Sequence, residues 1–173
     1  TNVHRIEAQI RAIPDFPEPG VTFRDLTPLL QSPAAMRLAV HQLVQPFLGA
    51  EISAVAGIEA RGFVFGALVA AEMGVGFVPL RKPGKLPRES HSAEYQLEYG
   101  SNRLEIHVDA LSAADNVLLI DDLIATGGTA AASCELIERC DARVAACAFV
   151  VELTGLNGRA ALGDRHIHAL VQY

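Results

Sequence analysis

Tryptophan is absent, methionine occurs twice and cysteine three times in 173 residues. Cys134, Cys140 and Cys147 form no C-x-x-C pair, and an odd count cannot pair off fully. That excludes a disulfide-built scaffold and a thiolate zinc site, and it fits a reducing cytosol. No apolar run reaches the roughly 18 residues needed to span a bilayer. Residues 1–11 carry no apolar signal region, so no secretory targeting is expected, and the start at Thr1 reads as processed or trimmed. A basic excess is also missing: net charge is −6, which argues against a general nucleic-acid binder. The six histidines lack metal-ligand spacing, and Ser90 has no evident base to activate it. There is no internal repeat, low-complexity tract or long linker.

What is present suits a single domain with a proper buried core: 50% hydrophobic and 20% charged residues. Val3, Ile6, Ile10 and Ile13 have helical spacing, predicting a helix over residues 3–13. A proline-punctuated loop follows. Ser32-Pro33 reads as an N-cap with proline at the first helical position, opening a helix through Phe47. Residues 52–58, 63–73 and 76–80 read as strand, helix, strand. Residues 82–94 look like a long loop, a length more often functional than accidental. Residues 95–99 and 104–108 alternate like an antiparallel pair around Gly100. Strand, helix, strand, short helix, strand then follow at 117–120, 129–139, 143–151, 156–162 and 166–171. Such alternation predicts a mostly parallel sheet with helices on both sides, with ligands beyond the strands' carboxyl ends.

The most informative stretch is Val117 to Ala130, V-L-L-I-D-D-L-I-A-T-G-G-T-A. An apolar strand ends in Asp121 and Asp122, and Ala125-Thr126-Gly127-Gly128-Thr129 opens a helix. Glycines let amide N–H groups converge on an anion, the helix N-terminus adds a favourable dipole, and the threonines add hydroxyl donors. These features make a phosphate cradle. No lysine follows Gly128, so it is not a Walker loop, and it is not G-x-G-x-x-G. The paired carboxylates are suited to neutral hydroxyls such as those of a ribose. Arg81, Lys82, Lys85 and Arg88 form a local basic cluster in an acidic chain, which suits a small polyanion.

Strand, paired acids and A-T-G-G-T resemble the signature with which the type I phosphoribosyltransferases bind phosphoribosyl pyrophosphate (PRPP). F-P-x-P-G-V-x-F-R-D (16–25), A-R-G-F (60–63), R-K-x-G-K-L-P (81–87), L-E-Y-G (97–100) and V-E-L-T (151–154) occur in order. They resemble the members of this family that take adenine, over nearly the whole chain. The resemblance implies the family's α/β fold, as one domain over 1–173 with a small N-terminal hood (about 1–32) and a lid (about 82–100). It implies that Ala125, Thr126, Gly127, Gly128 and Thr129 hold the 5′-phosphate and that Asp121 and Asp122 hold the ribose. Arg61, Arg81 and Lys85 would meet pyrophosphate. Phe23, Arg24 and Leu123 would bind adenine, Glu98 would move the proton, and Tyr99 would cover the site. It implies a non-proline cis peptide at Glu59-Ala60, where Glu-Ala departs from a frequent Asp-Ser. Mg²⁺ would enter with PRPP, held by substrate and water rather than a protein cage. A cytoplasmic homodimer, binding neither nucleic acid nor membrane, is likewise implied. Two alternatives stay open: a PRPP sensor without catalysis, disfavoured by the missing helix-turn-helix extension, and a transferase for another base, disfavoured by the F-R-D block.

Overall fold

The computed structural model describes residues 1–96 and 100–173; Leu97, Glu98 and Tyr99 lie outside the described residues. The chain opens with helix α1 (Asn2–Glu7), capped by the Thr1 hydroxyl, and continues into β1 (Arg11–Ile13). The expected helix over 3–13 therefore stops early. Ile6 is its single buried residue, the chain turns after it, and Pro14 disfavours helical angles at Ile13. Ile13 instead pairs with Phe23 of β2 (Phe23–Asp25) in a two-stranded antiparallel sheet. A short α2 (Thr27–Gln31) leads to α3 (Pro33–Val44), which begins as the sequence predicts, with the Ser32 hydroxyl accepting from the Ala35 amide at 3.3 Å.

The centre is a five-stranded parallel sheet. Its strands are β3 (Ala54–Ile58), β4 (Gly76–Leu80), β7 (Asn116–Ile124), β8 (Arg143–Glu152) and β9 (Ile167–Gln172), in the order β4-β3-β7-β8-β9. Helix α4 (Arg61–Met73) joins β3 to β4, α5 (Gly128–Arg139) joins β7 to β8, and α6 (Gly158–Ala161) precedes β9. Side chains alternate across the sheet. Val55, Leu118, Ile120 and Ala148 pack toward α3 and α4. Ala56, Leu119, Cys147 and Phe149 pack toward α5. Because both faces are covered, the central strands read as continuous apolar runs.

Two boundaries differ from expectation. Strand β7 does not end at the acid pair: Leu123 and Ile124 still pair with Val151 and Glu152 of β8. Residues 82–94 are not all loop, since β5 (Ser90–Gln96) pairs with β6 (Ser101–His107) from Ser90↔His107 onward. Only Ala93 of β5 is buried, so its mostly polar sequence carried little strand signal.

Candidate active site

The chain runs from β3 outward to β4 on one side of the sheet, and from β7 outward to β9 on the other. The strand order therefore reverses between β3 and β7, and the crevice at their carboxyl ends is where such sheets take ligands. The carboxyl end of β7 and the turns after both strands carry most of the predicted site residues.

After β7, the chain passes through Ala125 and Thr126 to Gly127, the N-cap of α5, at φ +85°. That left-handed conformation is the one glycine adopts without steric cost. The space is closed as well: a Cβ on Gly127 would lie 2.4 Å from the Gly158 carbonyl oxygen. Asp121, Leu123, Ala125, Thr126, Gly127 and Thr129 share the lining of a cavity of about 150 Å³ at this turn. Amide groups at the start of a twelve-residue helix give it a positive electrostatic end.

After β3, the chain passes through a cis peptide at Glu59-Ala60, as the family resemblance implies, into Arg61 at the start of α4. A second cavity, of about 290 Å³, is lined by Glu59, Ala60, Arg61, Asp121, Asp122 and Thr129, together with Ile58 and Tyr95. Arg61 Nε donates to Asp122 Oδ2, linking the turn after β3 directly to the carboxyl end of β7. The Arg61 guanidinium is held above its ordinary pKa, first by this hydrogen bond and against the pull of burial. Burial, and then the adjacent Asp122 charge, push the Asp121 carboxyl well above the usual carboxylate range. Its Oδ1 accepts from the Asp122 amide at 2.8 Å. Gly62 gives the carboxyl room, since a Cβ there would lie 2.8 Å from Asp121 Oδ1.

Arg81, just past β4, donates through Nε to Glu59 Oε1 at 2.8 Å. Burial pushes Glu59 up, but the hydrogen bond from Arg81, with the Arg81 charge and the Lys82 amide and charge, outweighs it and leaves the carboxyl lowered. Lys85 is exposed on the connection to β5 and lines neither cavity. Phe23 lies between Phe16 and Arg61, at 5.2 Å from the Phe16 ring and 5.9 Å from the Arg61 guanidinium. Arg24 turns its side chain onto the Tyr173 ring. Thus Phe23, Arg61, Asp121, Asp122 and the 125–129 turn converge on one crevice, with Arg81 tied to its wall through Glu59. Glu98 and Tyr99 lie outside the described residues. Tyr95, Gly62 and Gly158 were not singled out in the sequence. An aromatic amid the polar residues of β5 was the available signal for Tyr95, and Gly62 lies within the A-R-G-F block; nothing local marked Gly158.

A reversed-order parallel sheet with an anion turn, a carboxylate pair and an arginine across the crevice defines a phosphoribosyl-binding fold. Residues 26–166 match the family described as phosphoribosyl transferase domain, and the chain belongs to that family. Within it, the relatives are adenine phosphoribosyltransferases. The one from Methylococcus capsulatus is 64% identical over 169 residues, covering 98% of this chain and 99% of its own length. The crystal structure of that enzyme from Rhodothermus marinus superposes with a TM-score of 0.94 at 47% identity, covering 99% of this chain and 98% of its own. The Saccharomyces cerevisiae enzyme, solved with an imino-altritol bisphosphate and adenine, has a TM-score of 0.93 at 39% identity, covering 98% of each chain.

Proposed function

We propose that the chain transfers the 5-phosphoribosyl group of PRPP to N9 of adenine, giving AMP and pyrophosphate. The observation that carries this reading is the Arg61–Asp122 pair spanning the crevice beside the glycine turn. It sets a cation suited to pyrophosphate and an acceptor suited to ribose hydroxyls next to the glycine turn.

The 5′-phosphate sits on the amides of Gly127 and Gly128, with the Thr126 and Thr129 hydroxyls completing its hydrogen bonds. Asp121 and Asp122 take the ribose hydroxyls. When PRPP enters, Asp122 exchanges Arg61 for the sugar, and Arg61 turns to the pyrophosphate. Arg81 and Lys85 add fixed positive charge as the C1–O bond breaks and the leaving group gains charge. Phe23 stacks on one face of the purine and Leu123 closes the other. Main-chain groups at Arg24 pair with the N1 and N6 edge, which rejects 6-oxo purines because their polar groups would be left unpaired. Glu98 accepts or relays the purine proton as N9 attacks C1, and Tyr99 covers the site in the closed lid.

Among the described residues no group of three or more His, Cys, Asp or Glu is arranged to hold a metal. The Asp121 and Asp122 oxygens beside the cavity nonetheless suit a hard cation arriving with its phosphates. Mg²⁺ bound that way supplies charge neutralisation on the pyrophosphate. No helix among the described residues is long and apolar enough to cross a membrane. A cytoplasmic homodimer is the setting that the family resemblance supports.

The test is turnover of adenine, hypoxanthine and orotate with PRPP and Mg²⁺. AMP is the expected product, and no product with any base would overturn the reading. In the same assay Glu98→Gln slows turnover far more than it weakens PRPP; equal losses in both would remove its proton role.

A further inference from the structure

The residue after β9 packs against β2. The Arg24 guanidinium lies 3.8 Å from the centroid of the Tyr173 ring, and both residues are half-buried. The two partners differ in how firmly their backbones are held. The Tyr173 amide donates to the Glu152 carbonyl at 2.9 Å, and the Tyr173 carbonyl accepts from the Thr154 amide at 2.9 Å and hydroxyl at 2.8 Å. The ring is therefore mounted on the rigid end of β8 and β9. Strands β1 and β2, by contrast, are three residues each and contain no buried residue. Their buried anchors, Ile6, Leu26 and Leu29, all lie outside the pair. The Tyr173 phenol also senses α1: burial and the Glu7 charge raise it, and Arg24 opposes them.

Phe23 and Arg24 are consecutive on β2, and the Phe23 ring lies 5.9 Å from the Arg61 guanidinium at the cavity. A small rotation of β2 would move both the stacking ring and the main-chain groups offered to the base. We infer that Tyr173 is a positioning residue for adenine: by clamping the Arg24 side chain to the sheet edge, it sets the height and tilt of β2 over the crevice. This rests on the adenine reading above and adds a residue that touches no substrate. A planar guanidinium stacks on an aromatic face through both charge and shape. Phenylalanine retains that face without the hydroxyl, whereas leucine keeps apolar bulk without the ring quadrupole.

The experiment varies adenine and PRPP separately for the wild type and for Tyr173→Phe, Tyr173→Leu and Tyr173→Ala. Amide hydrogen exchange is measured in parallel on the unliganded proteins. Tyr173→Phe is expected within about twofold of wild type, while the Leu and Ala variants raise the adenine KM roughly 5–20-fold and leave the PRPP KM within about twofold. Amides of residues 23–25 exchange faster in Tyr173→Ala, and those of β7 do not. An unchanged adenine KM in Tyr173→Ala, a parallel rise in both KM values, or full rescue by leucine would overturn the inference. Should the wild type make no AMP, the activity reading falls, and unchanged exchange at residues 23–25 would overturn the clamp independently.

Discussion

Adjacent glycines in the anion turn should behave oppositely when given a methyl group. Gly127 has φ +85°, and a Cβ there would lie 2.4 Å from the Gly158 carbonyl oxygen and 2.9 Å from Ala161 Cβ. Left-handed angles cost a non-glycine residue about 1–2 kcal/mol. Forcing a methyl into a packed contact adds roughly 1–3 kcal/mol, because backbone rather than a flexible side chain must move. Gly127→Ala is thus expected to lose about 2–5 kcal/mol, which lowers the melting midpoint by roughly 5–15 °C in a domain of this size. Gly128 is the first residue of α5, and its nearest prospective neighbour is the Gln96 carbonyl oxygen at 3.6 Å. Alanine there meets ordinary contact and gains helix propensity, so Gly128→Ala changes stability by less than about 1 kcal/mol. Thermal unfolding followed by far-ultraviolet circular dichroism compares the two directly, which matters in a chain without tryptophan. Midpoints that agree within about 2 °C would refute the steric reasoning, and with it the rigid-turn picture of the proposed phosphate site.

Two further expectations concern buried carboxylates and pH. Asp121 has its pKa raised by burial and by Asp122, so its ionised form opposes folding. That cost is absent below the unfolded value of about 3.9 and grows as pH rises toward the folded value. Asp121→Asn should therefore melt above wild type at pH 7, by roughly 2–4 °C for about 1 kcal/mol, with the gap closing near pH 4. A gap that widens on acidification would contradict this. Glu152 is lowered, chiefly by its hydrogen bonds from Arg159, and accepts from it at 2.7 and 2.9 Å and from Gln172 at 2.9 Å. Its stabilisation is present above the unfolded glutamate value and lost as pH falls through the lower folded one. Glu152→Gln should cost about 1–2 kcal/mol at pH 7, at the low end because Arg159 is 45% exposed, and measurably less at about pH 3, below the unfolded value of about 4.3. Urea titrations at the two pH values check it, and an equal loss at both would count against the ion pair.

The parallel sheet and the glycine-threonine turn before α5 could be read from sequence because their signals are local. Val117 to Ile120 is an uninterrupted apolar strand, and the glycine-threonine turn follows within a few residues. The N-terminal strands could not. Ile10 and Ile13 keep helical spacing with Ile6, yet Ile13 is held by pairing with Phe23, a partner the helical period does not reveal. The first part of β5 stayed hidden because Ser90, His91 and Ser92 offer little apolar alternation to announce a strand, although the pairing around Gly100 was expected. The site shows the same division. Residue types at the crevice were legible from motifs, but the Arg61–Asp122 contact and the Arg24–Tyr173 stack join positions far apart in the chain. No periodicity encodes such pairs; they exist only once the sheet has assembled.

Strands β3 and β7 lie side by side although Val55 pairs with Leu118, and the residues between them form a helix, a strand and a hairpin. The protein's working surface is therefore split into two instalments, delivered early and late during synthesis. Arg61 precedes residue 116, whereas Asp121, Asp122 and the glycine turn follow it. The two halves of the crevice face each other only once β3 and β7 are paired, so the site depends on a contact between distant stretches of the chain.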